Sequence, residues 1–190
     1  FGVDVPADAY ETMAGAIERE AEWETIRGEE WFKNAQTTAE AENFFHWELE
    51  YPEVFFNEDG EKMDGSGFDA VVGNPPWVDI KGLDNPELLF DFFDTSYNRV
   101  NIYSAFIERS TDLLAKEAQF GFITPNSYHT QSSYLRLREH LIDNYSLHSI
   151  VRLPDGVFNG VTMETAILTA TLDPDSQTNP DVLIFSREAD

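Results

Sequence analysis

Phe68-Asp69-Ala70-Val71-Val72-Gly73-Asn74-Pro75-Pro76-Trp77 decides how this chain is read. Phe68 to Val72 is a short apolar strand that stops at Gly73, and a polar, doubly proline-locked turn comes next. In open α/β sheets ligands bind beyond the carboxyl ends of the strands, so a polar tetrapeptide there is placed for chemistry. Each proline fixes φ and donates no backbone N–H, which stiffens the turn. Pro75 also holds Asn74 extended. Asn74 therefore presents a carboxamide oxygen from a rigid loop, the Pro75 carbonyl can point the same way, and Trp77 adds a flat surface. Two acceptors side by side suit a planar exocyclic amine. Accepting its two hydrogens draws the nitrogen toward a tetrahedral geometry and frees its lone pair for in-line attack. A bare proline-rich turn would explain Asn-Pro alone. The full strand-Gly-Asn-Pro-Pro-Trp context is more specific.

Downstream of the motif, strands and helices alternate. Residues 99–117 form an expected helix with Ile102, Ala105, Phe106, Arg109 and Leu113 at helical steps. Phe120 to Thr124 reads as a buried strand, Ser133 to Asn144 as a helix, and Leu147 to Leu153 as a third strand. Thr162 to Leu172 is β-rich, and Val182 to Phe185 is a short last strand. That order implies an α/β fold with a largely parallel sheet.

Upstream, Phe44 to Phe56 is dense in aromatics and partly alternating, as in a strand with a turn at Pro52. Asn57 to Gly67 is a polar loop. Residues 8 to 43 read as helical and acidic, with breaks expected at Gly28 and at Asn34 to Thr38. The expected organisation is an acidic helical arm over residues 1–43 and a sheet-bearing part over 44–190. The chain starts at Phe1 rather than Met, which suggests a piece of a longer protein.

Charge is extreme: 36 Asp and Glu oppose 12 Lys and Arg, a formal net charge of −24, although 14% aromatic content is unlike a disordered acidic tail. Adaptation to a salt-rich cytoplasm would account for such a surface, because salt screens its self-repulsion, with an ordinary acidic protein as the alternative. The scarcity of lysine (Lys33, Lys62, Lys81, Lys116) agrees with a halophilic source. With no cysteine, disulfides and thiolate metal sites are excluded. His46, His129, His140 and His148 have no metal-ligand spacing, so no metal is expected. No apolar run is long enough to span a membrane and no signal peptide is visible, so a cytoplasmic protein is expected. A nuclease role lacks its signature: Pro154-Asp155 is followed by Glu164-Thr165-Ala166, without the lysine.

Four segments in order resemble the gamma-class N6-adenine DNA methyltransferases of restriction-modification and phage-defence systems. FHWELEYPEVFF (45–56) is similar to the stretch before the catalytic strand, and FDAVVGNPPW (68–77) to the catalytic motif, with Trp for the commoner Tyr. NIYSAFIE (101–108) with QFGFITPN (119–126) is similar to the next helix and strand, and VFNGVTMETAIL (157–168) to a late motif near the target base. The resemblance implies the second half of a Rossmann-like methyltransferase sheet with flanking helices. It implies S-adenosylmethionine as cofactor and double-stranded DNA with a flipped adenine as substrate. Asn74, Pro75, Pro76 and Trp77 would be the catalytic set, with Asn74 and Pro75 accepting from the adenine amine. Trp77 and Phe158 would stack on the two faces of the flipped base. Phe106 would lie against the cofactor's adenine, although its place on a helical apolar face leaves core packing equally open.

The family's Gly-rich cofactor turn is missing upstream of residue 68, and so is the DNA-recognition domain that comes after the late motif. These parts would belong to the parent protein, and the isolated chain is expected to be inactive. Two rival readings remain. A protein-glutamine or RNA-base methyltransferase would offer the same planar amine, and a non-catalytic fragment would keep only the fold.

Overall fold

The computed structural model describes residues 4–16, 18–97, 99–154, 156–158, 163–173, 175 and 180–185. The chain forms two compact units, Phe1–Glu50 and Tyr51–Asp190.

The first unit is helical: α1 (Ala9–Ala16), α2 (Glu20–Gly28), α3 (Glu30–Glu42) and the single turn α4 (Trp47–Glu50). The break at Gly28 is where the sequence puts it. The expected break at Asn34 to Thr38 is not there, because α3 runs through it. Asn and Thr cost only a few tenths of a kcal/mol in a helix, and the Thr37 hydroxyl donates to the Lys33 carbonyl at 2.9 Å.

The second unit opens with α5 (Pro52–Phe55) and continues β1 (Phe68–Gly73), α6 (Pro86–Phe92), α7 (Tyr103–Leu113), β2 (Leu114–Pro125), α8 (Leu135–Asn144), β3 (Tyr145–Arg152), β4 (Thr165–Leu172) and β5 (Asp181–Ile184). The aromatic stretch read as a strand and turn is instead α4 and α5. Pro52 takes the first position of α5, where its missing N–H costs nothing. Phe55 is buried and meets Phe68 edge-on at 5.6 Å.

The sheet order is β1-β2-β4-β3-β5. β1 pairs parallel with β2, and β3 with β5, but β4 runs antiparallel between β2 and β3. The expectation of a largely parallel sheet is therefore corrected to a mixed one. The carboxyl ends of β1, β2, β3 and β5 and the amino end of β4 share one edge of the sheet. The helix expected over residues 99–117 ends at Leu113, and the chain goes straight into β2 with a bulge around Glu117, whose φ is 62°.

Phe120, Phe122, Leu168 and Ala170 line one face of the sheet, and Tyr103 and Ile107 of α7 and Leu137 and Leu141 of α8 bury against them. Alternate residues Gly121, Ile123, Ile167 and Thr169 point to the other face and are only partly buried. β1 is an edge strand, and Val72 is 76% exposed on it.

Candidate active site

Close packing fixes where β1 ends. Gly73 pairs with Phe122, and a Cβ on Gly73 would lie 3.3 Å from that ring, so the absence of a side chain lets the strand end approach β2. Beyond it Asn74 is exposed, Pro75 buried, Pro76 exposed and Trp77 partly buried. Buried Pro75 anchors the loop while exposed Asn74 stays open to solvent at the edge where the strand ends gather.

A second strip of chain holds the far side of the motif. Asn101 Nδ2 donates to the Trp77 carbonyl at 3.3 Å, Ile102 N to the Val78 carbonyl at 2.8 Å, and Ile80 N to the Val100 carbonyl at 3.1 Å. Asn101 N in turn donates to the Tyr134 hydroxyl at 3.0 Å. Tyr134 stacks on Tyr103 with the planes 3° apart, and the Tyr103 hydroxyl meets Ser127 Oγ at 3.2 Å. Tyr103 is fully buried, and desolvation raises its phenol far above the ordinary value. The Tyr103 phenol thus stays neutral, and the Tyr103 and Tyr134 hydroxyls act as fixed hydrogen-bonding struts. Sequence reading assigned no role to Asn101 or Tyr134. The NIY stretch was the available signal, but its use in holding Trp77 is a tertiary fact.

Trp77 and Phe158 are brought together. Their ring centroids lie 5.3 Å apart with the planes at 86°. A base held between two faces needs roughly parallel rings about 7 Å apart, two van der Waals contacts. The two rings occupy one site, then, but touch each other edge to face. The Trp77 Nε1 is buried without a hydrogen-bond partner. Residues 159–162 of the late motif lie outside the described residues.

Both ends of the loop bearing Phe158 are tied. Leu153 N donates to the Thr165 carbonyl at 2.9 Å. Arg152 Nη2 and Asn126 Nδ2 both donate to Glu164 Oε2, at 2.7 and 2.8 Å. These bonds from Asn126 and Arg152, with the charge of Arg152, hold the Glu164 carboxyl below its usual pKa. His129 is also held below its ordinary pKa, by burial first and then by Arg152 and Arg138. Phe106 stands apart from this group on α7. It is 43% exposed and outside the buried core, although Ser104, Ala105 and Ile107 beside it are buried.

Among the described residues no group of three or more His, Asp or Glu could hold a metal ion, and no helix is long and apolar enough to cross a membrane.

Residues 2–158 match the family described as the Eco57I restriction-modification methylase. The chain belongs to that family. Its relatives include RM.MjaORFECS2P of Methanocaldococcus jannaschii, 32% identical over 65% of this chain and 10% of that protein. The type II methyltransferase M.BstVI of Geobacillus stearothermophilus is 35% identical over 45% of this chain and 16% of its own length. This Eco57I-family chain thus spans a small part of the curated relatives it matches. Among solved structures, a Listeria monocytogenes protein assigned to the class I S-adenosylmethionine-dependent methyltransferases matches 68% of the chain and 40% of its own. Its TM-score is 0.51 and its identity 16%. A Vibrio vulnificus protein assigned as the modification subunit of a type I restriction enzyme covers 65% and 26%, with a TM-score of 0.50 at 20% identity. At these identities the likeness speaks to the fold: a mixed α/β sheet of the class I methyltransferase kind.

Proposed function

We propose that this chain is the catalytic-side half of a gamma-class DNA methyltransferase that transfers a methyl group to the N6 amine of an adenine flipped out of double-stranded DNA. One observation carries the reading. Asn74 is exposed at the carboxyl end of β1, on a loop anchored by buried Pro75 and pinned through the Trp77 and Val78 carbonyls. Membership of a restriction-modification methylase family supports it.

S-adenosylmethionine, the cofactor the fold family implies, supplies an electrophilic methyl group. The half-exposed Phe106 ring on α7 suits the flat face of its adenine. Asn74 Oδ1 and the Pro75 carbonyl accept the two hydrogens of the target amine and orient its lone pair toward the cofactor side. Trp77 stacks on the base, and Phe158 swings away from its edge-to-face contact to cover the other face. Pro76 keeps the turn rigid. Acceptors fixed before the base arrives need no reorganisation during reaction, which is where such sites gain rate.

The remaining cofactor contacts and the DNA-recognition surface belong to the longer parent protein. With a formal net charge of −24, the chain as a whole repels DNA, so most phosphate contacts are expected from the rest of the parent. A salt-rich cytoplasm would screen its repulsion of DNA. The isolated chain is expected to bind S-adenosylmethionine weakly and to be inactive.

The test is transfer of labelled methyl to DNA by the full-length protein in high salt, with Asn74→Ala and the isolated chain alongside. Labelled N6-methyladenine from the parent alone is the expected result. Transfer that survives Asn74→Ala, or a label found on glutamine or RNA instead, would overturn the assignment.

A further inference from the structure

Beside the catalytic loop lies a cleft of about 330 Å³ that the proposed reaction leaves unused, lined by Lys81, Phe90, Phe93, Ser96, Tyr97 and Arg136. That is the lower end of the size range of small-ligand sites. Its composition is unusual for this chain. Cations are outnumbered 36 to 12, yet two of them line one opening. Among the described residues neither makes an ion pair. The Arg136 guanidinium instead lies over the Tyr97 ring at 4.2 Å and reaches the Asp94 carbonyl at 3.3 Å. Arg19, Arg27, Arg109 and Arg152 are each paired with a carboxylate, whereas Lys33 and Arg138, like Arg136, reach backbone carbonyls.

A second, independent feature lies deeper. Ser96 is 1% exposed, and its hydroxyl has no hydrogen-bond partner. A buried hydroxyl left unpaired is costly. The floor is built rather than incidental, because Glu108 accepts from the backbone N–H of Asp94 at 3.1 Å and of Thr95 at 2.8 Å and so fixes the chain just before Ser96. Exposed Lys81, Tyr97 and Arg136 thus stand around a buried Ser96.

Topology sets this cleft at the catalytic edge. Lys81 sits in the 3₁₀ turn Ile80–Gly82 shortly after Trp77, beyond the carboxyl end of β1. Arg136 sits in the first turn of α8, beyond the carboxyl end of β2.

We propose that this cleft takes one unstacked nucleotide of the DNA strand. The phosphate lies against Lys81 and Arg136, and the base lies against the Tyr97 and Phe93 rings. This deepens the DNA methyltransferase reading and rests on it. It gives an acidic chain a local means of holding DNA next to the target base.

The 190-residue chain is titrated with a short single-stranded oligonucleotide, the same oligonucleotide made wholly abasic, deoxyadenosine monophosphate, and inorganic phosphate, over a range of salt. Expected is binding of the oligonucleotide that weakens on the order of tenfold in Lys81→Gln/Arg136→Gln and by a similar factor without bases. The slope of log affinity against log salt should fall by about one to two in the double variant. Ultraviolet cross-linking of a bromouracil oligonucleotide to the unaltered chain, mapped to Tyr97 or Phe93, checks the site without a mutation. A free nucleotide bound as tightly as the oligonucleotide would overturn the DNA strand as the source. Abasic strand or phosphate bound equally well would overturn the base-binding claim. No binding, or a double variant with unchanged affinity and slope, would overturn the site. Methyl transfer by full-length Asn74→Ala is scored separately. Its survival refutes the adenine reading, whereas a failed titration with transfer still dependent on Asn74 refutes only the cleft.

Discussion

Replacing Gly67 with alanine probes what sets the start of β1, and with it the position of Asn74 seven residues on. A Cβ there would stand 2.5 Å from the Ala115 nitrogen and the Leu114 carbonyl carbon, and 2.6 Å from the Leu113 oxygen. All three are backbone atoms at the junction of α7 and β2, so no side chain can rotate out of the way. Carbon contacts settle near 3.5 to 4.0 Å, so the strand start and the junction must part by about 1 Å. Overpacking of that kind costs about 1–3 kcal/mol. Gly67 also has φ of +153°, and a side chain in that region adds about 1 kcal/mol. The sum, about 2–4 kcal/mol, should lower the melting temperature by roughly 5–15 °C in a chain of this size. Gly60→Ala is the control. It has φ of +78° with nothing within 4 Å of the added Cβ, so it carries the backbone cost alone. Thermal and urea melts of both variants decide the matter. If Gly67→Ala is no more destabilising than Gly60→Ala, the close approach does not set the strand.

Asn101→Ala removes the donor to the Trp77 carbonyl; about 1 kcal/mol of stability should be lost, with the parent's kcat falling more than its KM rises. Equal changes in both constants would count against a positioning role. Glu164, held below the ordinary carboxyl pKa by Asn126 and Arg152, keeps its contribution to stability above the unfolded-state pKa and loses it as pH falls through the lower folded value. Carboxyl NMR should place its midpoint below that of a free glutamate, with Asn126→Ala and Arg152→Gln each raising it. His140 is held below its ordinary pKa by burial, only partly offset by Glu108, Asp112, Asp143 and Asp94, and its Nε2 meets Thr111 Oγ1 at 2.8 Å. Its neutral form therefore stabilises the fold above pH 6.5, and that contribution is lost as pH falls through the depressed value. Melts of wild type against His140→Gln should converge on acidification, and a constant gap would refute this.

Sequence carried the motif well because its restraints are local: Gly73 stops a strand, and two prolines stiffen the turn after Asn74. Other elements depended on partners the sequence does not name. Ala115-Lys116-Glu117-Ala118 are good helix formers, but the pairing of Phe68 with Leu114 pulls the chain into β2. The antiparallel run of β4 did leave a trace. Residues 153–164 hold no helical pattern, and a parallel connection normally needs a crossover element. The aromatic run 44–56 looked like a strand by composition but folds in part as the short helices α4 and α5, and Phe55 of α5 packs edge-on against Phe68. Asn101 with Trp77, Asn126 with Glu164, and Lys81 with Arg136 are separated by 24 to 55 positions, so periodicity could not join them.

The contact between Trp77 and Phe158 has a thermodynamic consequence for the proposed reaction. Two rings that already touch shield each other from water, so admitting a base exchanges an existing aromatic contact for two new ones. The contact given up is about 0.5–1.5 kcal/mol, and each stacking gained is about 1–3 kcal/mol. The balance favours occupancy, but less than two free faces would. On the proposed reading, a base held with that smaller surplus would leave sooner once methylated, so the self-closing pair would shorten the dwell time of the product.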